Sequence, residues 1–336
     1  MKWLVGLLFF VGSAWAQNQL QSPQACVKCH QVQSASQPST SMGHALELAA
    51  NCSILKSHPL LTFKSGPYQY KIERHDERSL YTVSDGHDTF SVEIQYAFGL
   101  GTAGQTYVYT TGGQMYQSRV SFYSKIDGLD STLGVVDEPP RDLLTAAGRI
   151  MDRSEQAGCF GCHSSGAVAP GKTVHLERML PGVHCENCHG NAETHATNLS
   201  PMKSLRHLTA EESANFCGQC HRTWDDIASS GNRGIANVRF QPYRLTNSKC
   251  FDPDDNRIAC TTCHDPHKQI DSNVRTYDSK CQACHAAAGA NVEHCPHAAS
   301  GACVTCHMPK IELPGSHKQF TDHQIRIVRL NEPYPN

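Results

Sequence analysis

The sequence predicts a chain of short helices and loops with few strands, its interior filled partly by something other than side chains, and one antiparallel β-rich module inserted toward its N-terminal end. Three observations predict this. Fourteen of the 17 cysteines fall into seven copies of one five-residue pattern, Cys-x-x-Cys-His. Six of those copies crowd into residues 159–307, whereas residues 31–158 carry none. Hydrophobic residues make up 39% of the chain and aromatics 7%, which is lean for a core in 336 residues.

Residues 1–16 read as a secretory signal peptide. Lys2 supplies a positive charge, Trp3 to Val11 an apolar run, and Ala14-Trp15-Ala16 a small-x-small cleavage site. That run is too short to span a bilayer, so a stable transmembrane anchor is the weaker reading, and no later segment is apolar enough to cross. The mature chain is therefore expected in the periplasm or outside the cell. Its formal net charge, −2 for the whole chain, comes without any basic block and speaks against nucleic acid as a partner.

Residues 17–60 form a first segment with one motif. Residues 61–140 form the β-rich module. Tyr68, Tyr70 and Ile72 alternate with polar residues, as do Phe90, Val92, Ile94 and Tyr96. Tyr107-Val108-Tyr109 and the run from Met115 to Tyr123 flank Gly112-Gly113, a two-residue hairpin turn, and Asp85-Gly86 offers another. About five strands are expected. The module has no cysteine cluster, so docking or shielding suits it better than catalysis. A linker from Gly128 to Arg141 follows, marked by Pro139-Pro140.

Residues 141–336 carry the other six motifs. Asp142 can cap a helix running through Leu144 and Met151 to Gly158 and so into the second motif. Thr209 and Glu212 make a capping-box pattern before a short helix into Cys217. Ser229 to Gly234 reads as a loop, and the Ala/Gly-rich residues 286–302 join the last two motifs.

The copies are Cys26/Cys29/His30, Cys159/Cys162/His163, Cys185/Cys188/His189, Cys217/Cys220/His221, Cys260/Cys263/His264, Cys281/Cys284/His285 and Cys303/Cys306/His307. Cysteines three apart on a helical turn lie on one side, where each thiol can form a thioether to a haem vinyl group. The next residue then puts an imidazole beneath the iron as proximal ligand. Structural zinc sites pair Cys-x-x-Cys units without requiring a histidine after every second cysteine. A thioredoxin-like dithiol would occur once, near a βαβ pattern. The spacing therefore implies seven covalently bound c-type haems. The fold class is a multihaem cytochrome c, with haems in place of much of the apolar core.

Thirteen histidines lie outside the motifs and can supply distal ligands. Methionine is scarcer, and Met308 directly follows a proximal histidine, so it cannot reach the far face of the same iron. Histidine on both faces is expected for most haems, with low potentials. His195 and His267 lie just past a motif, and His323 follows Asp322, which could orient its ring. These three lead the distal candidates, ahead of His44, His58 and His317. His44 and His58 are natural partners for the isolated first motif. His175, His184 and His207 come next; His294 and His297 are weaker; His75 and His87 are expected at the surface. Cys52, Cys250 and Cys295 remain: Cys250 and Cys295 could pair, or Cys52 could replace one of them, and spacing does not decide.

Residues 159–323 resemble multihaem c-type cytochromes related to the tetrahaem electron carrier of ammonia oxidisers and to octahaem hydroxylamine oxidoreductases. The resemblance rests on Cys185-Glu-Asn-Cys-His-Gly with His195, on Cys263-His-Asp-Pro-His, and on Cys306-His-Met-Pro-Lys with the later Asp322-His323. Gly190-Asn191 stands where the recurring element has Gly-Pro. The stretch Val238-Arg-Phe-Gln-Pro-Tyr-Arg-Leu and the β module resemble exported multihaem cytochromes of environmental bacteria. The resemblance implies closely packed haems in stacked and perpendicular pairs, serving as an electron wire.

The expected function is electron transfer, with other redox proteins or membrane quinol-oxidising complexes as partners and room for self-association. Two alternatives stand beside it. An oxidoreductase of small nitrogen or sulfur oxyanions would need one iron with an open distal position. The Cys-x-x-Cys-Lys motif of pentahaem nitrite reductases is absent, but hydroxylamine-type enzymes use ordinary motifs. A subunit of an extracellular cytochrome filament would need haems exposed at both ends.

Overall fold

The computed structural model describes residues 24–134, 139–169, 171–190, 192–202, 204–286 and 295–335. The expected signal peptide and His294 lie outside them. Among the described residues no helix is long and apolar enough to cross a membrane.

The strands predicted from alternation form two antiparallel sheets rather than one. Leu46–Leu48 is β1, Leu60–Ser65 β2, Tyr68–His75 β3, Arg78–Ser84 β4 and Thr89–Glu93 β5. Tyr96–Gly101 is β6, Gly104–Thr111 β7, Gln114–Tyr123 β8, Gly128–Ser131 β9 and Gly148–Ile150 β10. One sheet is the meander β2-β3-β4-β5; the other runs β1-β6-β7-β8-β10, with β9 also on β8. In the meander Ile72 lies opposite Tyr81, and Tyr81 opposite Val92, so period-two alternation sends one row of apolar residues inward. That row packs against Tyr107, Tyr109, Tyr116, Val120 and Phe122 of the second sheet, making a sandwich core rich in tyrosine.

Both predicted turns form. Gly112 and Gly113 join β7 to β8 with positive φ. Asp85 Oδ1 accepts from the His87 and Asp88 amides at 2.9 and 2.8 Å, closing the turn between β4 and β5.

The second sheet is buried on its other face as well. Leu46, Phe98, Val108 and Met115 pack there against Met151, Phe160 and Ala167. Phe160 belongs to the helix Arg153–His163, so the β module seats the second motif directly. Phe160 lies 5.1 Å from Phe98 and 5.2 Å from Tyr96, ring to ring and edge-on.

Two expectations are corrected here. The start of the predicted linker, Gly128–Ser131, is β9, paired with Val120 to Tyr123. The single helix predicted from Asp142 is broken: Leu143–Ala147 is a short helix, β10 follows, and a new helix begins behind Asp152. Gly148 explains the break. A Cβ there would collide with the Gln117 carbonyl, so only glycine lets β10 lie against β8. Asp152 and Glu155 then make the capping box that starts the motif helix.

Beyond residue 163 the chain is short helices and loops, with small two-stranded pairs at Ser164–Ser165 (β11) with Leu180–Pro181 (β12), and Lys310–Leu313 (β13) with Lys318–Thr321 (β14). The predicted loop after Ser229 is partly helix, since Trp224–Ser230 is helical up to Gly231 in the left-handed region. The C-terminal segment is held by one fully buried ion pair. Arg244 donates to both oxygens of Asp322, at 2.8 and 3.0 Å, and Arg326 adds a bond of 2.6 Å. Burial works to raise the Asp322 carboxyl, and the bonds from Arg244, the Gln324 amide and Arg326 outweigh it and hold it below the usual range.

Candidate functional site

Each motif begins on a helical turn. The second and fourth close longer helices, Arg153–His163 and Ala210–His221, which start at the capping boxes Asp152/Glu155 and Thr209/Glu212. The third, fifth and seventh are helices of one turn or little more: Cys185–His189, Cys260–Cys263 and Cys303–His307. The sixth ends Asp278–His285, and the first straddles the end of Gln24–Val27. The His30 amide still donates to Cys26 O at 2.8 Å and the His264 amide to Cys260 O at 2.9 Å, so these motifs too are coiled as one turn.

The seventh helix is capped from another element. Asp278 accepts from the Ala302 and Cys303 amides at 2.6 and 2.9 Å, and those two bonds lower its carboxyl below the usual range.

All 17 thiols are free. Cys250 and Cys295 are both exposed and unjoined; Cys52 is buried, its thiol donating to Gln105 at 3.2 Å, and burial pushes it up to about 11. The motif thiols meet across motifs. Cys26 touches Cys185, Cys162 touches Cys220, Cys217 touches Cys260 and Cys281 touches Cys303. Cys188 acts electrostatically on Cys217 and Cys220, as Cys263 does on Cys281. Every motif is thus a neighbour of another.

Cys29 and Cys284 differ from Cys26 and Cys281 in their surroundings. Cys29 lies beyond the last residue of the helix Gln24–Val27, in the turn that follows, and its side chain is exposed while Cys26 makes the contact with Cys185. The Cys29 and His30 amides both donate to Cys26 O, at 3.2 and 2.8 Å, so the pair stays on one turn. Cys284 lies on the same helix as Cys281, and both interact electrostatically with Cys250; Cys281 also meets Cys303 and Cys284 also acts on Arg257.

The histidines show how imidazoles are presented. Nδ1 of His163 bonds to Ala45 O at 2.9 Å, that of His307 to Arg326 O at 2.9 Å, that of His195 to Ser200 O at 2.7 Å and that of His323 to Thr321 O at 3.0 Å. His267 Nδ1 faces Asp265 at 3.1 Å. Each bond fixes the ring through Nδ1 and leaves Nε2 for a metal.

Three of these rings come opposite motif histidines. His195 lies 6.2 Å from His30, His267 lies 6.1 Å from His189, and His323 lies 6.2 Å from His264, ring centre to ring centre. With metal–nitrogen bonds of about 2.0 Å, two imidazoles on opposite faces of one iron hold their centres about 6 Å apart. Burial lowers His323 to about 4 and also lowers His163, His189, His221 and His264, keeping them neutral as ligands must be.

The remaining candidates are placed differently. His44 pairs with Glu47 at 3.4 Å. His58 uses both nitrogens, Nδ1 with Ile54 O at 3.0 Å and Nε2 with Asp127 at 2.9 Å. His317 Nε2 bonds to Asp130 at 2.8 Å, tying the β13–β14 hairpin to the β module. The first motif therefore meets His195 rather than His44 or His58; His44 is engaged by the nearby Glu47, and His58 by Ile54 and the distant Asp127. Asp322 does not orient His323, because Arg244 and Arg326 occupy it. His184 Nε2 faces Pro181 O and His175 Nδ1 faces Glu177. His75 and His87 are exposed.

A cavity of about 540 Å³ opens against His221, lined also by Cys220, Arg222 and Arg239. Burial, and then Arg222, lower the Arg239 guanidinium from its usual range. Arg222 adjoins a motif in sequence, but nothing in the sequence joins Arg239 to it.

The residues fit haem on these observations: paired thiols on helical turns, imidazoles pre-oriented through Nδ1, and ring pairs spaced for one iron. Among the described residues no three His, Cys, Asp or Glu side chains converge on a point as ligands of a bare metal ion. This is the arrangement that covalent haem attachment at several motifs would need. The family model for cytochrome c554 and c-prime matches residues 141–190, which include the second and third motifs. Among solved structures the chain is similar to the outer cell wall cytochrome OcwA, with a TM-score of 0.52 and 16% identity over 91% of this chain and 79% of that one. At that identity the likeness is one of fold. None of the curated proteins matches the chain.

Proposed function

We propose that the chain is a heptahaem cytochrome that moves electrons between redox partners outside the cytoplasm, mostly through haems with histidine on both faces. The observation that carries this reading is the contiguity of all seven motifs, together with three histidine pairs spaced at 6.1–6.2 Å. Haem, when bound, supplies a one-electron Fe(III)/Fe(II) couple. The chain's residues do the rest. Fourteen cysteines, Cys29 and Cys284 among them, tether the groups, and seven motif histidines bind on one face. His195, His267 and His323 bind on the other face at His30, His189 and His264. Adjacent tethers keep neighbouring groups close enough for electron exchange without a diffusing carrier. Partners are other redox proteins or quinol-oxidising complexes of the membrane, and residues 1–16 direct export.

Intact mass and the pyridine haemochrome spectrum of the purified mature protein test the reading. Seven haems per chain are expected; two or fewer overturn it. Low-temperature electron paramagnetic resonance is expected to be dominated by low-spin ferric signals. A substantial high-spin signal that shifts on adding nitrite or hydroxylamine would replace the carrier with an oxidoreductase.

A further inference from the structure

The cavity against His221 has an unusual charge arrangement. Arg222 and Arg239 both line it, with Asp226, Ser230, Asn232 and Phe240 among its other walls. Arg239 lies over the Phe240 ring, 5.0 Å from its centre, a placement that fixes the guanidinium plane. Among the described residues, the arginines ion-paired with carboxylates are Arg78, Arg149, Arg244, Arg257 and Arg326. Neither cavity arginine is one of them. Asp226 is the acid of the lining, and its Oδ2 is taken by the Thr223 amide at 2.9 Å, closing a capping box. Arg222 holds φ at +68°, a backbone conformation unfavourable for a residue with a Cβ, at the point where the motif helix ends.

Two guanidiniums facing one cavity repel each other unless anionic oxygens lie between them. Each guanidinium presents paired N–H donors that match a carboxylate. A c-type haem carries two propionate carboxylates, one for each arginine. We propose that Arg222 and Arg239 bind the propionates of the haem tethered at Cys217 and Cys220 and thereby raise its reduction potential above those of its neighbours. This rests on the cytochrome reading above.

The sign follows from charge. Reduction adds one electron to the iron and removes one positive charge, while a neighbouring haem gives up that electron and is oxidised. Bare propionates favour the ferric state; guanidiniums that neutralise them favour the ferrous state. The location gives the effect a use. Cys220 touches Cys162, Cys217 touches Cys260, and both lie near Cys188. The site therefore adjoins the second, third and fifth motifs. A high potential there collects electrons from three directions.

The test is a spectroelectrochemical titration of the mature holoprotein, wild type against Arg239→Gln, Arg222→Gln and Arg239→Lys, with haem counted in each. His221→Met marks the component of interest, since a methionine ligand moves that haem upward. In Arg239→Gln and Arg222→Gln the same component is expected to fall at least tenfold in its reduction equilibrium, about 59 mV for one electron. Arg239→Lys, which keeps the charge, is expected to recover most of the shift. Curves superimposable on wild type in both glutamine variants, with seven haems present, overturn the proposal. Phosphate and nitrite are added to wild type as a separate arm, and no shift is expected. A saturable shift of the marked component that Arg239→Gln abolishes would mean the arginines hold a free anion, and the propionate assignment falls. A low haem count in wild type would sink the cytochrome reading itself, which keeps the two failures apart.

Discussion

Single hydrogen bonds set how each imidazole is presented. An imidazole held through Nδ1 presents Nε2 in a fixed direction; one held through Nε2 does not. His195 and His323 are held by backbone carbonyls and His267 by the Asp265 carboxylate, all through Nδ1. His58 and His317 are held through Nε2 by Asp127 and Asp130. The His267→Ala variant is therefore expected to turn one low-spin ferric signal into a high-spin one, leaving the others in place; an unchanged resonance spectrum would remove His267 from the ligand set. Sequence position ranks His195, His267 and His323 first, and these are the three that meet motif histidines. It gives no ground for dropping His58 or His317 altogether, because Asp127 is 69 residues from His58 and Asp130 is 187 from His317. Asp278 acts at the same scale. Its carboxyl is lowered by the Ala302 and Cys303 amides, so its stabilisation is complete above the unfolded-state value and disappears as pH falls through the lower folded value. Denaturant midpoints measured from pH 6 down to pH 3 should fall less steeply in Asp278→Asn than in wild type. Parallel slopes would show that this cap carries no linkage.

At the level of elements, local signals were readable and long-range pairing was not. The Thr209/Glu212 capping box and the turns at Gly86 and Gly112-Gly113 form as their sequences require. Alternation marks the inward residues of β3 and β4. It does not reveal that the strands divide into two sheets, because sheet membership depends on partners far along the chain. β1, β9 and β10 are too short to show a period, and each exists through its neighbour: β1 on β6, β9 and β10 on β8. The same applies to the helix misread across Gly148. The double burial of the second sheet gives the module its role as a seat for the second motif, with Phe160 at the contact and His163 edge-on to Phe98 at 5.4 Å. Phe160 is fully buried, so Phe160→Ala should cost about 3–5 kcal/mol, the usual range for emptying an aromatic core site. Thermal unfolding followed by circular dichroism reads this cost. A midpoint within a degree of wild type would mean that the helix does not depend on the sheet.

Across the whole molecule the seven motifs form a branched network rather than a row. The first touches the third; the third lies beside the fourth; the fourth touches the second and the fifth. The fifth lies beside the sixth, and the sixth touches the seventh. Order along the chain gives part of this order in space: Ser164 and Ser165, just past the second motif, bond to Asn187 inside the third, while Cys162 also reaches Cys220 of the fourth. The fourth motif adjoins three others, but the third also meets the second, through Asn187 with Ser164 and Ser165, and the fifth, through His189 against His267. Removing the tethers of the fourth in Cys217→Ala/Cys220→Ala should therefore leave six haems still joined, with the third as the detour between the second and the fifth. Electrons injected by a laser flash into the wild type should spread among all haems in one fast phase independent of protein concentration. In the double variant this phase should slow but stay independent of protein concentration, because the internal route is lengthened and not cut. A phase in a six-haem variant whose rate rises with concentration would show that the fourth site is an obligatory junction, and the detour through the third motif would have to be abandoned.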